Sequence, residues 1–267
     1  MTRYVRSFVR AAEREAVTAW LQALRPLWED RWSHHRPPPP GETQRPLLRP
    51  VWWLGSWQFA CLGYYRPPQG TRDRCVRAEP FPAPLRAWVE RIRAEIRASV
   101  PAGDVPRAYA PNTCLVNLYG ERVDGDRVED RGRVGDHRDH EPGPVASVSL
   151  GGRALFQFVD RRGRVVEERW LDDGSLLIFA GERHKEQLFH RVQRVDRKAT
   201  ALPPGLDDFV TRRVNFTFRY VPEEHIQPLS SLSEASRADV AGYVDRLAER
   251  SAWWATARHE AGWDPPG

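Results

Sequence analysis

The feature that most limits the possible folds is a series of short β-rich segments between Pro111 and Val221. Seven runs rich in apolar and β-branched residues follow one another there, and turn residues such as Gly151-Gly152 and Asp173-Gly174 separate them. Several short strands at a spacing of roughly 8–12 residues are typical of a β-sandwich or barrel. The predicted strands are 113–119, 145–150, 154–160, 165–171, 175–180, 188–195 and 212–221.

Helical patterns flank this β-rich part. An amphipathic helix is predicted from Pro84 onward, because apolar residues recur there at positions i, i+3, i+4, i+7 and i+11. Similar spacing predicts a helix over 11–32 and another over 233–258, while the aromatic run 51–65 predicts a strand or hairpin. We therefore expect an α+β, mainly β chain whose parts are 1–110, 111–222 and 223–267.

The charge is unevenly distributed. Residues 1–110 contain 18 Arg against 10 Asp plus Glu, a balance of +8, whereas the whole chain carries +5. A basic surface suits a nucleic-acid backbone, although a gene biased toward arginine codons explains it equally well, since Lys185 and Lys198 are the only lysines.

Three cysteines without Cys-x-x-Cys spacing indicate neither a disulfide framework nor a thiolate zinc site. No run approaches the roughly 20 apolar residues of a membrane helix, and the N-terminus lacks a signal-peptide core. We expect a cytoplasmic monomer without a membrane partner.

A candidate metal site begins at His137 and Asp139. In an extended segment two residues at this spacing point to the same side, so both can bind one metal ion. The spacing alone does not identify a site, because other histidines compete on residue type: His34, His35, His140 and His184.

The predicted last strand of the β-rich part carries an arginine pair. Arg213, Asn215 and Arg219 share one face at period two. Guanidinium groups bind carboxylates bidentately and stay charged in a partly buried site, so this face is suited to a dicarboxylate. A solvated strand face is the alternative.

The segment Asn112–Val221 resembles the AlkB family of Fe(II)/2-oxoglutarate dioxygenases. Seven blocks occur in the order of that family: 112–119, 137–141 (His-Arg-Asp-His-Glu), 144–151, 155–158, 174–179, 188–192 (Leu-Phe-His-Arg-Val) and 213–219. The resemblance implies a double-stranded β-helix, a jelly-roll core to which N-terminal helices and a C-terminal helical extension are added.

The resemblance also implies roles for individual residues. Iron would be held by His137, Asp139 and His190, and 2-oxoglutarate by Arg213 and Arg219 together with Asn117, Tyr119 and Asn215. His184 follows a Gly-Glu-Arg turn outside the Leu-Phe-His-Arg-Val block, so it is predicted to lie on the surface. His140 is predicted to point away from its neighbour Asp139 in an extended segment, where a contact with a metal ligand or with the substrate is the alternative.

The activity implied by the resemblance is oxidative demethylation of N-alkylated bases in DNA or RNA. It consumes O₂ and 2-oxoglutarate on Fe(II) and releases formaldehyde, succinate and CO₂. Trp57 and Tyr64 match a base-stacking pair in the family's substrate-recognition lid, and Glu141 matches an acidic base contact that favours a cationic base. Alternatively, the aromatic residues belong to the core of an outer sheet.

Two other functions are open at this point. An oxygenase of the same fold can hydroxylate a protein, lipid or small molecule. A nucleic-acid-binding module with a vestigial barrel is disfavoured, because every ligand and arginine position is filled.

The chain departs from the family pattern in three places. Residues 121–135 form a charged insertion that is predicted to be a loop, and Gly174-Ser175 replaces the usual Gly-Asp. About 45 residues follow the arginine strand, and we expect their helix to pack on the core, with a dimer or partner contact as alternatives.

Overall fold

The computed structural model of the chain describes residues 1–33, 45–59, 63–64 and 74–263. In chain order its elements are β1 (Thr2–Val5), α1 (Ala11–Ala23), β2 (Leu27–Ser33), β3 (Arg45–Leu54), β4 (Ser56–Trp57), β5 (Gly63–Tyr64), β6 (Val76–Arg77), α2 (Ala83–Ser99), β7 (Thr113–Asp124), β8 (Arg127–Asp130), β9 (Val134–His137), β10 (Val145–Gly151), β11 (Ala154–Val159), β12 (Val165–Leu171), β13 (Leu176–Phe179), β14 (Phe189–Val195), β15 (Phe209–Arg219), α3 (Glu234–Ala248) and α4 (Ala252–Glu260).

Two antiparallel sheets form the centre of the molecule. The large sheet has the order β1-β13-β10-β15-β7-β3-β2-β5, with β8 paired to β7, and among the described residues its only parallel pair is β2 with β5. The small sheet has the order β12-β11-β14-β9. In the described residues the sheets do not close into a barrel. This is the jelly-roll core that the sequence predicted, and all seven predicted strands are present.

The alternation of residues along β15 separates two environments. Val214, Phe216 and Phe218 are fully buried against helices on one side of the large sheet, where Trp88 of α2 meets Phe216 edge to face at 5.2 Å. The intervening residues of β15 are polar and face the small sheet. The helix predicted from Pro84 is confirmed as α2, which directs its five apolar positions into this core.

A smaller apolar core lies between the two sheets. Phe156 and Phe158 of the small sheet pack there against Leu177 and Phe179 of the large sheet. Because one face of the large sheet carries helices and the other carries this second core, polar residues on the inner face are enclosed between two apolar layers.

The predicted N-terminal helix is wrong beyond Ala23. Helix α1 ends there, Leu24 is extended, and the following residues form β2. Pro26 cannot donate a helical hydrogen bond and disfavours a helical Arg25 before it, so the helical pattern is interrupted. Packing then assigns Leu27 and Trp28 to a strand that extends the large sheet.

Two other predictions of local structure need correction. The charged stretch 121–135 is largely a β-hairpin, because β7 continues to Asp124 and pairs with β8 across a turn at Gly125, whose φ is +57°. The predicted C-terminal helix is divided into α3 and α4. No helix among the described residues is both long and apolar enough to cross a membrane.

Candidate metal centre and co-substrate site

Three candidate metal ligands meet where β9 ends beside β14. His137 and His190 lie directly opposite each other in this antiparallel pair, with ring centroids 4.2 Å apart. Asp139 follows two residues after His137. One ligand atom from each of the three residues lies within 4.8 Å of the others, so the group can hold one metal ion.

The backbone orients His137. Its Nδ1 lies 2.8 Å from the carbonyl oxygen of Gly135, which leaves Nε2 for a metal. Burial lowers the pKa of His137 to about 3, and the neighbouring His190 adds to this effect. The ring is therefore neutral near pH 7, the form in which imidazole binds metals.

Asp139 is held as a carboxylate. Arg219 donates from Nη2 to Oδ1 of Asp139 at 2.7 Å, and Nε2 of His190 lies 3.4 Å from Oδ2. Burial opposes ionisation of this group, but Arg219 and His190 outweigh it and keep the pKa of Asp139 well below its usual value. The site thus presents two imidazoles and one anionic oxygen ligand.

The His190 ring is set in aromatic surroundings. Phe156 stacks on it at 5.6 Å between centroids, and Phe179 lies at 5.0 Å. These rings belong to the smaller core, so they fix the imidazole and keep bulk water from that side of the site.

A buried polar row crosses the inner face of the large sheet beside the triad. Its members come from four neighbouring strands, and strand pairing aligns Arg213 with Tyr119 and Asn215 with Asn117. The row contains Arg49 (β3), Asn117 and Tyr119 (β7), Arg213, Asn215, Thr217 and Arg219 (β15), and Ser147 and Ser149 (β10).

Arg213 is the least satisfied member of this row. It is 1% exposed, donates from Nη2 to the Ser149 hydroxyl at 3.0 Å and lies over the Tyr119 ring at 4.8 Å. Nε and Nη1 of Arg213 find no hydrogen-bond acceptor among the described residues. A buried guanidinium without a carboxylate is costly, so the geometry calls for an anion from outside the chain.

Sequence reasoning missed Arg49. Its guanidinium lies over the Tyr119 ring at 5.1 Å, and its Nε donates to Oδ1 of Asn117 at 3.0 Å. Tyr119 therefore has two guanidinium groups nearby. The available signal was weak: Arg49 is one charge in an apolar, proline-containing stretch, and only strand pairing brings it to the site.

The asparagines predicted to contact the co-substrate lie in the row, where other groups already use part of their hydrogen-bonding capacity. The Asn215 amide donates to the Ser147 hydroxyl at 2.7 Å and to the Val148 carbonyl at 3.0 Å, while Asn117 accepts from Arg49. Their side chains therefore brace the row.

Trp57 is not at this site, which contradicts its predicted base-stacking role. It is 0% exposed, its indole N–H donates to Glu29 at 3.2 Å, and it stacks on Tyr243 of α3 at 4.7 Å with an interplanar angle of 17°. Both the burial and the stacking partner identify Trp57 as a core residue beneath the C-terminal helices. The side chain of Tyr64 lies outside the described residues.

The remaining acidic and histidine predictions had mixed outcomes. Glu141 is 5% exposed and lies 3.5 Å from Nη1 of Arg219, so its charge is already paired. His140 is exposed. His184 is buried rather than on the surface, because Nε2 lies 3.2 Å from Glu167 and Nδ1 lies 3.0 Å from the amino group of Met1. His34 and His35 lie outside the described residues.

The candidate metal ligands and the free N–H groups of Arg213 suit two different bound species. Two imidazoles and a carboxylate on one side of a metal leave other positions open, which suits non-heme Fe(II) acting on O₂. The unsatisfied N–H groups of Arg213 suit the carboxylate of a second molecule bound nearby. Fold and site together define an oxygenase that uses iron and a carboxylate co-substrate.

Comparisons with known proteins agree with this class. The family model of the 2OG-Fe(II) oxygenase superfamily matches residues 2–219. The chain belongs to this superfamily, whose members use Fe(II), 2-oxoglutarate and O₂, and the resemblance seen in the sequence is confirmed at that level. No curated protein matches the chain.

The comparison with solved structures found matches at low sequence identity. The structure of OsALKBH1 is 21% identical over 82% of this chain and 97% of that chain, with a TM-score of 0.48. A 2OG-Fe(II) oxygenase family oxidoreductase from Burkholderia pseudomallei is 13% identical over 81% and 84% of the two chains, with a TM-score of 0.46. These identities and TM-scores do not establish the family, which is shown by the match of the family model to residues 2–219.

Proposed function

We propose that the chain is a 2-oxoglutarate-dependent oxygenase in which His137, Asp139 and His190 hold Fe(II) and Arg213 anchors the co-substrate. The observation that carries this proposal is Arg213, a buried cation with unsatisfied donors on the strand next to the one that bears Tyr119. A dicarboxylate supplies the missing charge and the missing acceptors at once.

The residues around the metal have separate tasks. The Gly135 carbonyl fixes the ring orientation of His137, and Arg219 keeps Asp139 ionised. Phe156 and Phe179 exclude water behind His190. When bound, Fe(II) with 2-oxoglutarate and O₂ supplies the oxidant for hydroxylating a substrate C–H bond. The chain contributes geometry and a dry surrounding.

For the substrate, we propose an N-methylated base in DNA or RNA. After hydroxylation, the methyl carbon leaves as formaldehyde and the unmethylated base remains. The motif blocks of the core and the basic N-terminal part support this choice. Phosphate neutralisation by arginines would hold the strand, while an extruded base reaches the iron.

A second candidate is hydroxylation of a substrate that is not a nucleic acid. Trp57 favours it, because this residue lies in the core and leaves the proposed base without its expected stacking partner. The substrate of this second candidate is a protein, a lipid or a small molecule.

Arg213→Met tests the co-substrate site. We expect the dissociation constant for 2-oxoglutarate to rise at least about 30-fold, because removing one partner of a buried charge pair costs about 2–5 kcal/mol. Titration calorimetry on the metal-bound protein measures this change. Arg212→Met is the matched control: Arg212 is the chain neighbour and pairs with Glu121 at 3.0 Å instead. Equal effects of both substitutions would contradict the anchor.

A panel of methylated oligonucleotides tests the substrate. The Fe(II)-loaded protein is incubated with 2-oxoglutarate and each oligonucleotide, and mass spectrometry records loss of a methyl mass. We expect succinate formation to rise with the oligonucleotide that loses its methyl group. Turnover of 2-oxoglutarate with every oligonucleotide unchanged would favour the second candidate.

A further inference from the structure

Arg49 is a buried cation of the polar row that the function proposed above does not use. It is 8% exposed, so it belongs to the interior although it lies in the basic N-terminal part of the chain. Its strand, β3, is the neighbour of β7 in the large sheet, and Val51 of β3 pairs with Asn117 of β7. Arg49 lies two positions from Val51 and therefore on the same face. Strand pairing thus brings Arg49 to the co-substrate side of the sheet.

Tyr119 is flanked by two guanidinium groups from the strands on either side of β7. Arg213 of β15 pairs with Tyr119, and its guanidinium carbon lies 4.8 Å from the ring centroid. The guanidinium carbon of Arg49 lies 5.1 Å from the same centroid. Burial lowers the pKa of Arg213, and the charge of Arg49 lowers it further. Each cation therefore makes burial of the other more costly, and one anion bound near this ring would lower the cost for both.

Arg49 also fixes the orientation of the Asn117 amide. Its Nε donates to Oδ1 of Asn117 at 3.0 Å, and both side chains are buried. Because Oδ1 accepts this bond, the NH₂ group of Asn117 is directed toward other partners. Among the described residues it has one long hydrogen bond, 3.5 Å, to the Leu115 carbonyl oxygen. Asn117 is thereby kept as a donor in the row, which is the polarity that a bound carboxylate or carbonyl group requires.

Bracing of Asn117 alone does not require a positive charge. A neutral side chain with an N–H group could donate to Asn117 equally well, without placing a second buried cation near Arg213. In the part of the chain that the structure describes, Nε and Nη1 of Arg213 still have no acceptor. The charge of Arg49 is therefore suited to a bound anion that both guanidinium groups attract.

We infer that Arg49 is a positioning residue that makes the site selective for a 2-oxo acid with a second, distal carboxylate. It attracts that carboxylate toward Arg213 and holds Asn117 and Tyr119 in fixed orientations beside it. The inference rests on the proposed co-substrate anchor at Arg213. It adds a determinant from β3, outside the β-rich part that contains the other co-substrate residues.

A pair of 2-oxo acids of equal length tests the inference. Both 2-oxoglutarate and 2-oxopentanoate have five carbons and the same keto acid end, but only 2-oxoglutarate has a distal carboxylate. Titration calorimetry on the Zn(II)-substituted protein, in which no turnover occurs, measures the two dissociation constants. We expect the wild-type protein to bind 2-oxoglutarate at least about 30-fold more tightly, the factor that corresponds to a buried charge pair.

Two substitutions of Arg49 separate its charge from a structural role. Arg49→Gln removes the charge but keeps an N–H donor for Asn117. We expect its dissociation constant for 2-oxoglutarate to rise about tenfold, as for loss of one charge-assisted hydrogen bond, and that for 2-oxopentanoate to stay unchanged. Arg49→Lys keeps the charge and should recover part of the selectivity. A purely structural role would weaken binding of both acids by the same factor.

Arg122→Gln is the matched control. The guanidinium carbon of Arg122 also lies 5.1 Å from an aromatic ring centroid, that of Trp28, but Arg122 is near the other end of β7 and pairs with Asp208 at 3.4 Å. We expect this variant to leave both dissociation constants unchanged. Circular dichroism reports whether each variant is folded. If Arg49→Gln does not fold, Arg49→Lys must show a smaller loss for 2-oxoglutarate alone, and wild-type constants in that variant would overturn the inference.

The outcomes distinguish this inference from the proposed co-substrate site. If the ratio of the two dissociation constants is unchanged in Arg49→Gln while Arg213→Met loses the selectivity, the role of Arg49 is overturned and the anchor at Arg213 stands. If the wild-type protein does not distinguish the two acids, the proposed anchor fails, and the inference fails with it.

Discussion

At the scale of single residues, the metal centre depends on a property of paired strands. Residues directly opposite each other in an antiparallel pair project to the same face, so His137 and His190 meet although 53 positions separate them in the chain (190 − 137). Asp139 reaches the same point because it follows the end of β9. The three ligands are thus placed by one strand pair.

Replacing His137 with Ala tests this placement. We expect affinity for Fe(II) to fall by more than about 100-fold, since loss of even an outer-shell partner costs about 10- to 100-fold. Anaerobic titration with Fe(II) or Co(II) measures the affinity. His140→Ala is the control, because His140 lies nearby but is exposed. Undiminished metal binding in His137→Ala would exclude this residue as a ligand.

At the scale of elements, the C-terminal helices pack on the apolar core at the outer face of the large sheet. Tyr243 of α3 stacks on Trp57, and Trp254 of α4 meets the same ring edge to face at 6.0 Å. Glu29 accepts hydrogen bonds from the indoles of Trp53 and Trp57, at 3.1 and 3.2 Å. An aromatic segment with the pattern of a substrate lid serves here to attach two helices.

Trp57→Ala therefore tests a structural role against a substrate role. We expect the free energy of unfolding to fall by about 3–5 kcal/mol, as for other large-to-small core substitutions, with the affinity for 2-oxoglutarate unchanged while the protein is folded. Denaturant unfolding followed by circular dichroism measures the loss. Trp57→Phe, which keeps an aromatic ring, should lose less. Normal stability combined with weak substrate binding would restore the stacking role.

At the scale of the whole molecule, the two faces of the large sheet have different roles: one stabilises the fold and the other carries the candidate site. Its outer face packs on helices through apolar residues, and its inner face carries the polar row that ends at the metal centre. Arg49 and Arg213 both lie near Tyr119, and Arg49 lowers the pKa of Arg213 in addition to the dominant effect of burial. The inner face therefore has positive charge that a bound anion would balance.

The co-substrate should stabilise the entire fold for this reason. At a concentration of 100 times its dissociation constant, 2-oxoglutarate is expected to add about 2.7 kcal/mol to the free energy of unfolding. Thermal denaturation of the Mn(II)-bound protein measures the effect. The control is 2-oxobutyrate, which keeps the keto acid but lacks the distal carboxylate and should stabilise far less. Equal stabilisation by both acids would show that Arg213 does not bind that carboxylate.

The sequence by itself determined the features that depend on local pattern. The positions of the core strands, the helix α2 and the order of the motif blocks follow from residues close together in the chain, because side-chain periodicity reports which face of an element is buried. The candidate ligands and the arginine strand were also visible there, through their spacing and the family resemblance.

Only the tertiary structure decided which side chains share an environment. Leu27 and Trp28 continue a helical pattern yet lie in a strand, and Trp57 lies in the core rather than at the iron. Arg49 carried only a weak local signal, since its role depends on Asn117 and Tyr119, which lie on another strand. Burial and charge pairing are sums over neighbours brought together by the fold, and a one-dimensional pattern does not contain them.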